Sequence, residues 1–282
     1  MEYVTLNNGV KMPILGFGVY QISKDECKQC VIDAINAGYR LIDTAAIYMN
    51  EIEVGQAIKE AGVARDQLFI TTKLWVQDAT YQKAKFAIDA ALQRMQLDYI
   101  DLLLIHEPMG DIYGMWQAME EAYHDHKVRA LGVSNMYADR LMDFIIHVDV
   151  KPTINQIRTN PYFQHRDTKE FMDQYQIIHE AHSPFSQGDA NLFQEPILVD
   201  LAQKYHKNVG QIILRWLVQR GIVTLTRSHN PQRIKENLQI FDFKLTDEKM
   251  DLIKTLDRKD GNTFDNRNPE DVKKICLNRY QY

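Results

Sequence analysis

Short apolar runs, each followed by a polar residue and then by an amphipathic stretch, recur along the whole chain. The runs are RLIDTA (40–45), LFITTKL (68–74), IDLLLIH (100–106), VRALGVS (128–134), TINQI (153–157), IIHEAHS (177–183), IVTLTRS (222–228) and the weaker FDFKL (241–245). Helical periodicity separates them, as in YQKAKFAIDAALQRMQ (81–96) and NVGQIILRWLVQRG (208–221). Strands that alternate with helices predict βαβ units with right-handed crossovers and a parallel sheet. Eight such units predict an α/β fold, a single (β/α)8 TIM barrel over residues 1–282.

The amino-terminal segment YVTLNNGVKM (3–12) predicts an additional β-hairpin, with Asn8-Gly9 as a type I′ turn. We expect this hairpin at the barrel bottom. The main alternative fold is a doubly wound dinucleotide-binding sheet, which needs G-x-G-x-x-G directly after its first strand. Here Gly16-Phe17-Gly18 is followed by Gln21 where the third glycine belongs, and we find no strand–helix frame around it. The pattern therefore favours the barrel.

The composition fits a globular protein, with 45% hydrophobic and 25% charged residues. A net charge of −5 and a pI near 6.0 argue against a nucleic-acid partner, which would require an accumulated basic face. The amino terminus lacks the basic region and long apolar run of a signal peptide. No apolar stretch reaches the roughly 18 to 20 residues that span a bilayer. We expect a cytoplasmic monomer without a membrane partner.

The chain has three cysteines, Cys27, Cys30 and Cys276. An odd and small number of cysteines indicates no disulfide framework. Cys27 and Cys30 form a C-x-x-C, which could serve as a redox or metal pair. Their segment, KDECKQCVIDAINAGY (24–39), has helical apolar spacing and is not matched by a second ligand pair. We therefore favour two cysteines that pack on the inner face of a helix.

Ionisable residues lie at the ends of three successive apolar runs. Asp43 ends the first, with Tyr48 five residues later, Lys73 ends the second and His106 the third. Each residue alone has an ordinary structural explanation, such as capping, solvation or a core hydrogen bond. Their convergence is more informative, because active sites of α/β barrels form at the carboxyl ends of the strands. An Asp–Lys pair beside a tyrosine is also an arrangement that tunes a phenol for proton transfer.

This constellation resembles the aldo-keto reductase family. GYRLIDTAAIYMNEIEVG (38–55) matches the segment that carries the family's Asp and Tyr, TTKLW (71–75) the one with its Lys, and DLLLIHEP (101–108) the one with its His. The resemblance covers nearly the whole chain. Within the family, the chain is similar to bacterial-type members such as diketogluconate and methylglyoxal reductases. It continues through ALGVSN (130–135), INQIRTNPY (154–162), EAHSPF (180–185) and TRSHNPQRIKEN (226–237).

The resemblance implies an NADPH-dependent reduction of aldehydes or ketones with Tyr48 as proton donor. Lys73 would lower the pKa of Tyr48, Asp43 would hold Lys73, and His106 would orient the carbonyl oxygen. The family's double-bond reductases carry Glu at the His106 position, so His106 favours carbonyl chemistry. Glu107 is unusual, since the family more often has Trp or Gln there. Because successive strand residues point opposite ways, we expect that Glu107 does not duplicate the role of His106 and lies at the pocket rim.

Cofactor contacts are implied along the barrel mouth. Asn230-Pro231 reads as the N-cap and first residue of a helix, and with Arg227 and Arg233 this forms an anion site. The resemblance assigns that site to the adenosine 2′-phosphate, which favours NADPH over NADH. The implied contacts are Ser134, Asn135 and Gln156 at the nicotinamide amide, His182 (for the usual Tyr or Trp) at its ring, Ser183 and Phe185 at the pyrophosphate, Arg227, Ser228 and Arg233 at the 2′-phosphate, and Asn237 at adenine.

The substrate pocket is expected to place apolar barrel-mouth residues around a polar centre, which suits small aldehydes and ketones. Its candidates are Tyr20, Trp75, His106, Glu107 and the tail from Cys276 to Tyr282. Two other classes of function remain as alternatives. A cofactor-binding sensor would lack turnover, against which the complete tetrad argues. A metal hydrolase would need several ligands at strand ends, where only His106 and His182 qualify, so we expect no metal.

Overall fold

The computed structural model describes residues 1–258 and 264–281. Eight parallel strands form a closed barrel in the order β10-β3-β4-β5-β6-β7-β8-β9, as predicted, and an antiparallel pair, β1-β2, precedes it. The strands are β1 Tyr3–Thr5, β2 Lys11–Pro13, β3 Leu15–Gly18, β4 Leu41–Asp43, β5 Phe69–Leu74, β6 Leu102–Ile105, β7 Leu131–Ser134, β8 Ile154–Arg158, β9 Ile178–His182 and β10 Val223–Thr226.

Helices surround the barrel and connect its strands. They are α1 Lys24–Ala37, α2 Glu51–Glu60, α3 Tyr81–Met95, α4 Ile112–His124, α5 Ala138–His147, α6 Arg166–Gln174, α7 Ala190–Phe193, α8 Pro196–Tyr205, α9 Val209–Gln219, α10 Pro231–Leu238, α11 Asp247–Lys254 and α12 Pro269–Leu277. Short 3₁₀ helices span Ala46–Tyr48, Arg65–Gln67 and Val76–Asp78. A local signal explains the start of α9, which begins at a capping box formed by Asn208 and Gln211.

The first barrel strand is β3, which the apolar pattern did not identify. The prediction of a strand at 241–245 is wrong, because those residues form no strand. The eighth strand of the barrel is formed instead by LGFG at 15–18. β3 leads into α1, so a strand–helix frame does surround the glycines. Gly16 is required by packing, since a Cβ there would lie 2.5 Å from the Leu41 side chain. The glycines thus allow close approach of neighbouring strands in a barrel.

The amino-terminal hairpin covers the barrel bottom, as predicted. Its Asn7 and Asn8 side chains donate to the carbonyl oxygens of Pro152 and Arg129, which precede β8 and β7. The turn type is different from the prediction. Gly9 N–H donates to the Leu6 carbonyl, and only Gly9 of this turn has a positive φ, of 85°. A type I turn followed by a left-handed glycine therefore replaces type I′, which needs two positive φ values.

Cys27 and Cys30 are buried on the inner face of α1, as the helical spacing predicts. Burial raises the pKa of the Cys27 thiol to about 12, which disfavours the reactive thiolate. In the described part of the chain, none of the helices combines the length and the apolar character needed to cross a membrane.

The carboxyl-terminal tail packs beside the end of β5, at the barrel mouth. Trp75 Nε1 donates to the Asn278 carbonyl (2.9 Å), and the Tyr280 hydroxyl donates to Asp78 Oδ2 (2.8 Å). Cys276 contacts Met109, with 3.6 Å between the two sulfur atoms. The tail therefore lies where the sequence analysis expected it, although Tyr282 falls outside the described residues.

Candidate active site

The four predicted tetrad residues meet at the carboxyl ends of β4, β5 and β6. Asp43 ends β4 and Lys73 lies within β5, and the register pairs these strands directly. Lys73 Nζ lies 2.6 Å from Asp43 Oδ1 and donates to the Thr44 carbonyl at 2.9 Å. Lys73 is fully buried and Asp43 nearly so. Such a pair is stable only because both charges are compensated.

Tyr48 and His106 face each other above this ion pair. Tyr48 ends the 3₁₀ helix that follows β4, and His106 directly follows β6. Their ring centroids lie 5.5 Å apart and nearly perpendicular, while Lys73 Nζ lies 5.1 Å from the Tyr48 centroid. Tyr20 packs on Tyr48 (5.0 Å) and Trp75 on His106 (4.9 Å). Aromatic walls thus enclose a polar centre.

Protonation at this centre differs from the expectation. Burial raises the pKa of Tyr48 well above its usual value, and the Asp43 carboxylate adds to the effect. The expected net lowering of the Tyr48 pKa is therefore wrong, because burial of the phenol dominates. Burial and the Lys73 charge lower the pKa of His106 well below its usual value. Tyr48 therefore holds its proton, and His106 is neutral.

Glu180 lies in the floor of the site and was missed by the sequence analysis. Gln156 Nε2 donates to Asp43 Oδ2 and to Glu180 Oε2, both at 3.0 Å. Glu180 is fully buried, and burial together with the Asp43 charge raises its pKa to about 8. The available signal was a charged residue inside the apolar run 177–183. Glu180 lies two positions before His182, and therefore on the same face of the strand.

Glu107 is buried beside His106, contrary to the expectation of a rim position. β6 ends at Ile105, so the alternation of strand side chains does not extend to residues 106 and 107. Asn135 Nδ2 donates to Glu107 Oε1 at 2.9 Å, and Glu107 and His106 line the same cavity. Burial raises the pKa of Glu107 to about 8, and the bond from Asn135 partly offsets this shift.

His182 ends β9 and is held by two polar contacts. Its Nε2 lies 3.3 Å from Asn135 Oδ1, and its Nδ1 lies 3.1 Å from Ser183 Oγ. Burial and the nearby Arg158 charge lower the pKa of His182 to about 3, so the ring is neutral. Arg158 also lines the cavity and donates to Ser186 Oγ at 3.1 Å. Sequence reasoning did not single out Arg158, although it lies two residues after Gln156 on the same strand face.

The rim opposite this centre carries exposed cationic residues. Asn230 caps α10 by accepting from the backbone N–H groups of Gln232 and Arg233, and Pro231 follows, as predicted. Arg227 Nη1 donates to the Tyr20 carbonyl (2.9 Å) and to Gln21 Oε1 (2.6 Å), linking β10 to the loop after β3. Since Asn230 already occupies two helix N–H groups, the arginine side chains supply most of the positive charge for an anion.

One cavity of about 1080 Å³ connects the two ends. Lys73 lies behind its wall, fully buried. The predicted site residues that line it are Tyr20, Asp43, Tyr48, Trp75, His106, Glu107, Ser134, Asn135, Gln156, His182, Ser183, Phe185, Arg227, Ser228, Arg233 and Asn237. In residues 1–258 and 264–281, no group of three or more His, Cys, Asp or Glu side chains is placed to hold a metal ion.

Comparisons with known proteins agree with this geometry. Residues 14–258 match the model of the aldo/keto reductase family. The chain is 44% identical to glyoxal reductase of Bacillus subtilis (91% of this chain, 93% of that protein) and 41% identical to methylglyoxal reductase DkgA of Yersinia pestis (90% and 92%). Among solved structures, a Bombyx mori aldo-keto reductase in complex with NADP has a TM-score of 0.88 and 36% identity, covering 92% of this chain and 93% of that one.

Proposed function

The chain belongs to the aldo/keto reductase family, as an NADP-dependent oxidoreductase, and we propose that it reduces aldehydes or ketones with Tyr48 as proton donor. The observation that carries the proposal is the meeting of Tyr48 and His106 above the Lys73–Asp43 ion pair, inside one cavity. Three successive strand ends supply these groups, where barrel enzymes assemble their chemistry.

The cavity fits a dinucleotide cofactor. One end of the cavity of about 1080 Å³ carries the amide side chains of Gln156, which is buried, and Asn135, which is half-buried. The other end carries the guanidinium groups of Arg227, which is half-buried, and Arg233, which is exposed. When bound, NADPH supplies the hydride for the carbonyl carbon. We infer that Ser134, Asn135 and Gln156 hold the nicotinamide amide beside the His182 ring. Further along, Ser183 and Phe185 would face the pyrophosphate, Arg227, Ser228 and Arg233 the 2′-phosphate, and Asn237 the adenine.

The residues of the centre have distinct tasks in this mechanism. Tyr48 keeps its proton at Oη because burial raises its pKa, and it gives that proton to the carbonyl oxygen as negative charge develops there. Neutral His106 orients the same oxygen by a hydrogen bond. Lys73 stabilises the phenolate left on Tyr48, and Asp43 keeps its ammonium in place. Trp75 and Tyr20 exclude water from the reacting atoms.

Small carbonyl compounds are the proposed substrates. Tyr20, Trp75, His106 and Glu107 line the cavity around Tyr48, and Asn278 of the tail lines it next to Trp75. Two relatives are named for glyoxal and methylglyoxal reduction. We therefore propose short aldehydes and α-dicarbonyls as the first compounds to assay by loss of NADPH absorbance. Carbonyl-dependent NADPH oxidation also separates this function from that of a cofactor-binding sensor.

Tyr48→Phe tests the mechanism. We expect turnover to fall by about 10² to 10⁴-fold with little change in NADPH affinity, because only the acidic proton is lost. A matched control is Tyr81→Phe, which removes a hydroxyl bonded to Glu121 on the outer face of the barrel and should leave turnover unchanged. Near wild-type turnover in Tyr48→Phe would exclude Tyr48 as the proton donor.

A further inference from the structure

Two buried glutamates contact the two amide side chains at the nicotinamide end of the cavity. Glu107 accepts from Asn135 Nδ2 at 2.9 Å, and Glu180 accepts from Gln156 Nε2 at 3.0 Å. Each glutamate has a second carboxyl oxygen that is buried and lacks a hydrogen-bond partner among the described residues. Burying a carboxyl group in this way is unfavourable. A role beyond stabilising the fold would explain why both are present.

The orientation of the Gln156 amide is determined by its neighbours. Its Nε2 donates to Asp43 Oδ2 as well as to Glu180. Asp43 pairs with Lys73, so it is a carboxylate and can only accept hydrogen bonds. The NH2 group must therefore face the floor of the cavity, and its two hydrogens are both used there. Gln156 Oε1 is the atom left for a ligand.

The Asn135 amide is oriented by the same logic. Its Nδ2 donates to Glu107 Oε1 at 2.9 Å and to the backbone carbonyl oxygen of His106 at 3.3 Å. A backbone carbonyl oxygen can only accept hydrogen bonds, so it faces the NH2 group. The Asn135 Oδ1 is then the polar atom on the opposite side, 3.3 Å from His182 Nε2. Ser134 Oγ donates to the Gln156 backbone carbonyl at 2.7 Å, so it too offers lone pairs and not a proton.

These contacts make this end of the cavity a set of acceptor oxygens. We propose that Glu107 and Glu180 are positioning residues that fix the Asn135 and Gln156 amides with their oxygens toward the cofactor, so that the site selects a ring substituent carrying N–H donors. The inference rests on the proposed function, since it takes the nicotinamide to bind at these amides. The cofactor's carboxamide NH2 supplies the two matching donors.

Two cofactor analogues separate the donor from the acceptor half of the carboxamide. 3-Acetylpyridine adenine dinucleotide phosphate replaces the NH2 by a methyl group, whereas the thionicotinamide analogue retains NH2 and alters the oxygen. We would titrate NADP⁺ and both analogues and follow quenching of the tryptophan fluorescence. Because the acetyl analogue loses both N–H donors, the wild type should bind it about tenfold more weakly than the thio analogue, a difference of about 1.4 kcal/mol. A wild-type ratio below about threefold overturns the proposal.

Variants then test the glutamates themselves. Glu107→Leu and Glu180→Leu each remove one of the two acceptors that hold an amide NH2 group, leaving the His106 carbonyl for Asn135 and Asp43 for Gln156. The amides are then held less firmly, and the ratio of the two dissociation constants should fall to about threefold or less. Glu107→Gln and Glu180→Gln keep an acceptor oxygen and should retain the wild-type ratio, which a purely structural role would not require. Glu107→Asp serves if the leucine variants do not fold, because the shorter side chain withdraws the carboxyl from Asn135 and should lower the ratio.

The outcomes distinguish this inference from the proposed function. Unchanged ratios in the folded Leu and Asp variants, alongside normal NADP⁺ binding and carbonyl turnover in the wild type, would overturn the positioning role alone. A wild type that neither binds NADP⁺ nor reduces carbonyl compounds would remove the proposed function and this inference with it.

Discussion

The floor of the cavity and its rim use charge in opposite ways. In the floor, Asp43, Lys73 and Glu180 are nearly or fully buried, and their hydrogen bonds are with one another, with Gln156 and with the Thr44 carbonyl. On the rim, Arg233 is exposed to solvent and Arg227 is half-buried. Charge interactions are strong and insensitive to salt in a low-dielectric interior, whereas surface charges are weakened by water and ions. The floor is therefore suited to holding protons for chemistry, and the rim to recognising a ligand.

Breaking the buried ion pair should have the largest effect. Lys73→Met leaves Asp43 buried without its cation, which typically costs about 3 to 5 kcal/mol of stability, and it should abolish turnover. The exposed pair of Lys127 with Asp89 is a matched control, and Lys127→Met should cost under about 1 kcal/mol. Urea unfolding measures the stability of both variants, and NADPH-linked turnover measures their activity.

Asp43→Asn should lower turnover less than Lys73→Met, since it only frees Lys73 to move. The reverse order would contradict the assigned roles.

The buried acid Glu107 should make stability depend on pH. Its pKa is about 8 in the folded protein and near 4.5 when exposed, so between these values the folded state binds the additional proton. Stability from this group therefore falls as the pH rises from 4.5 toward 8. Glu107→Gln removes this penalty, so at about 1.36 kcal/mol for each pKa unit it should gain about 4 kcal/mol over wild type at pH 8 but only about 1 kcal/mol at pH 5. An equal difference at both pH values in urea unfolding would refute the buried, protonated state.

Arg233→Ala should have a smaller effect that is confined to affinity. Losing a charge-assisted contact to the 2′-phosphate should weaken NADPH binding by about tenfold or more and leave NADH nearly unaffected. Lys235→Ala, on the same helix, is the control and should change neither. At about 1 M salt, where the screening length is about 3 Å, NADPH should lose affinity more than NADH. Equal losses for the two cofactors in Arg233→Ala would indicate that Arg233 supports the loop and does not read the phosphate.

Much of the architecture could be predicted because it is encoded locally. The 3.6-residue spacing in 81–96 and 208–221 is visible without tertiary contacts, and α3 and α9 occur there. The capping residue Asn230 and the following Pro231 likewise identify the start of α10. β3 was missed because LGFG is short and half glycine, and its strand geometry depends on Leu41 and Leu225, which are distant in sequence.

The sequence alone determined which chemistry could gather at one end of the barrel. Strand ends at Asp43, Lys73 and His106 lie on the same side in any parallel barrel, so their meeting follows from topology. Only the tertiary structure decided their protonation and orientation. Burial and the Asp43 carboxylate keep the proton on Tyr48, and the end of β6 at Ile105 turns Glu107 toward Asn135. Desolvation and hydrogen-bond geometry arise from residues far apart in the chain, so no local pattern encodes them.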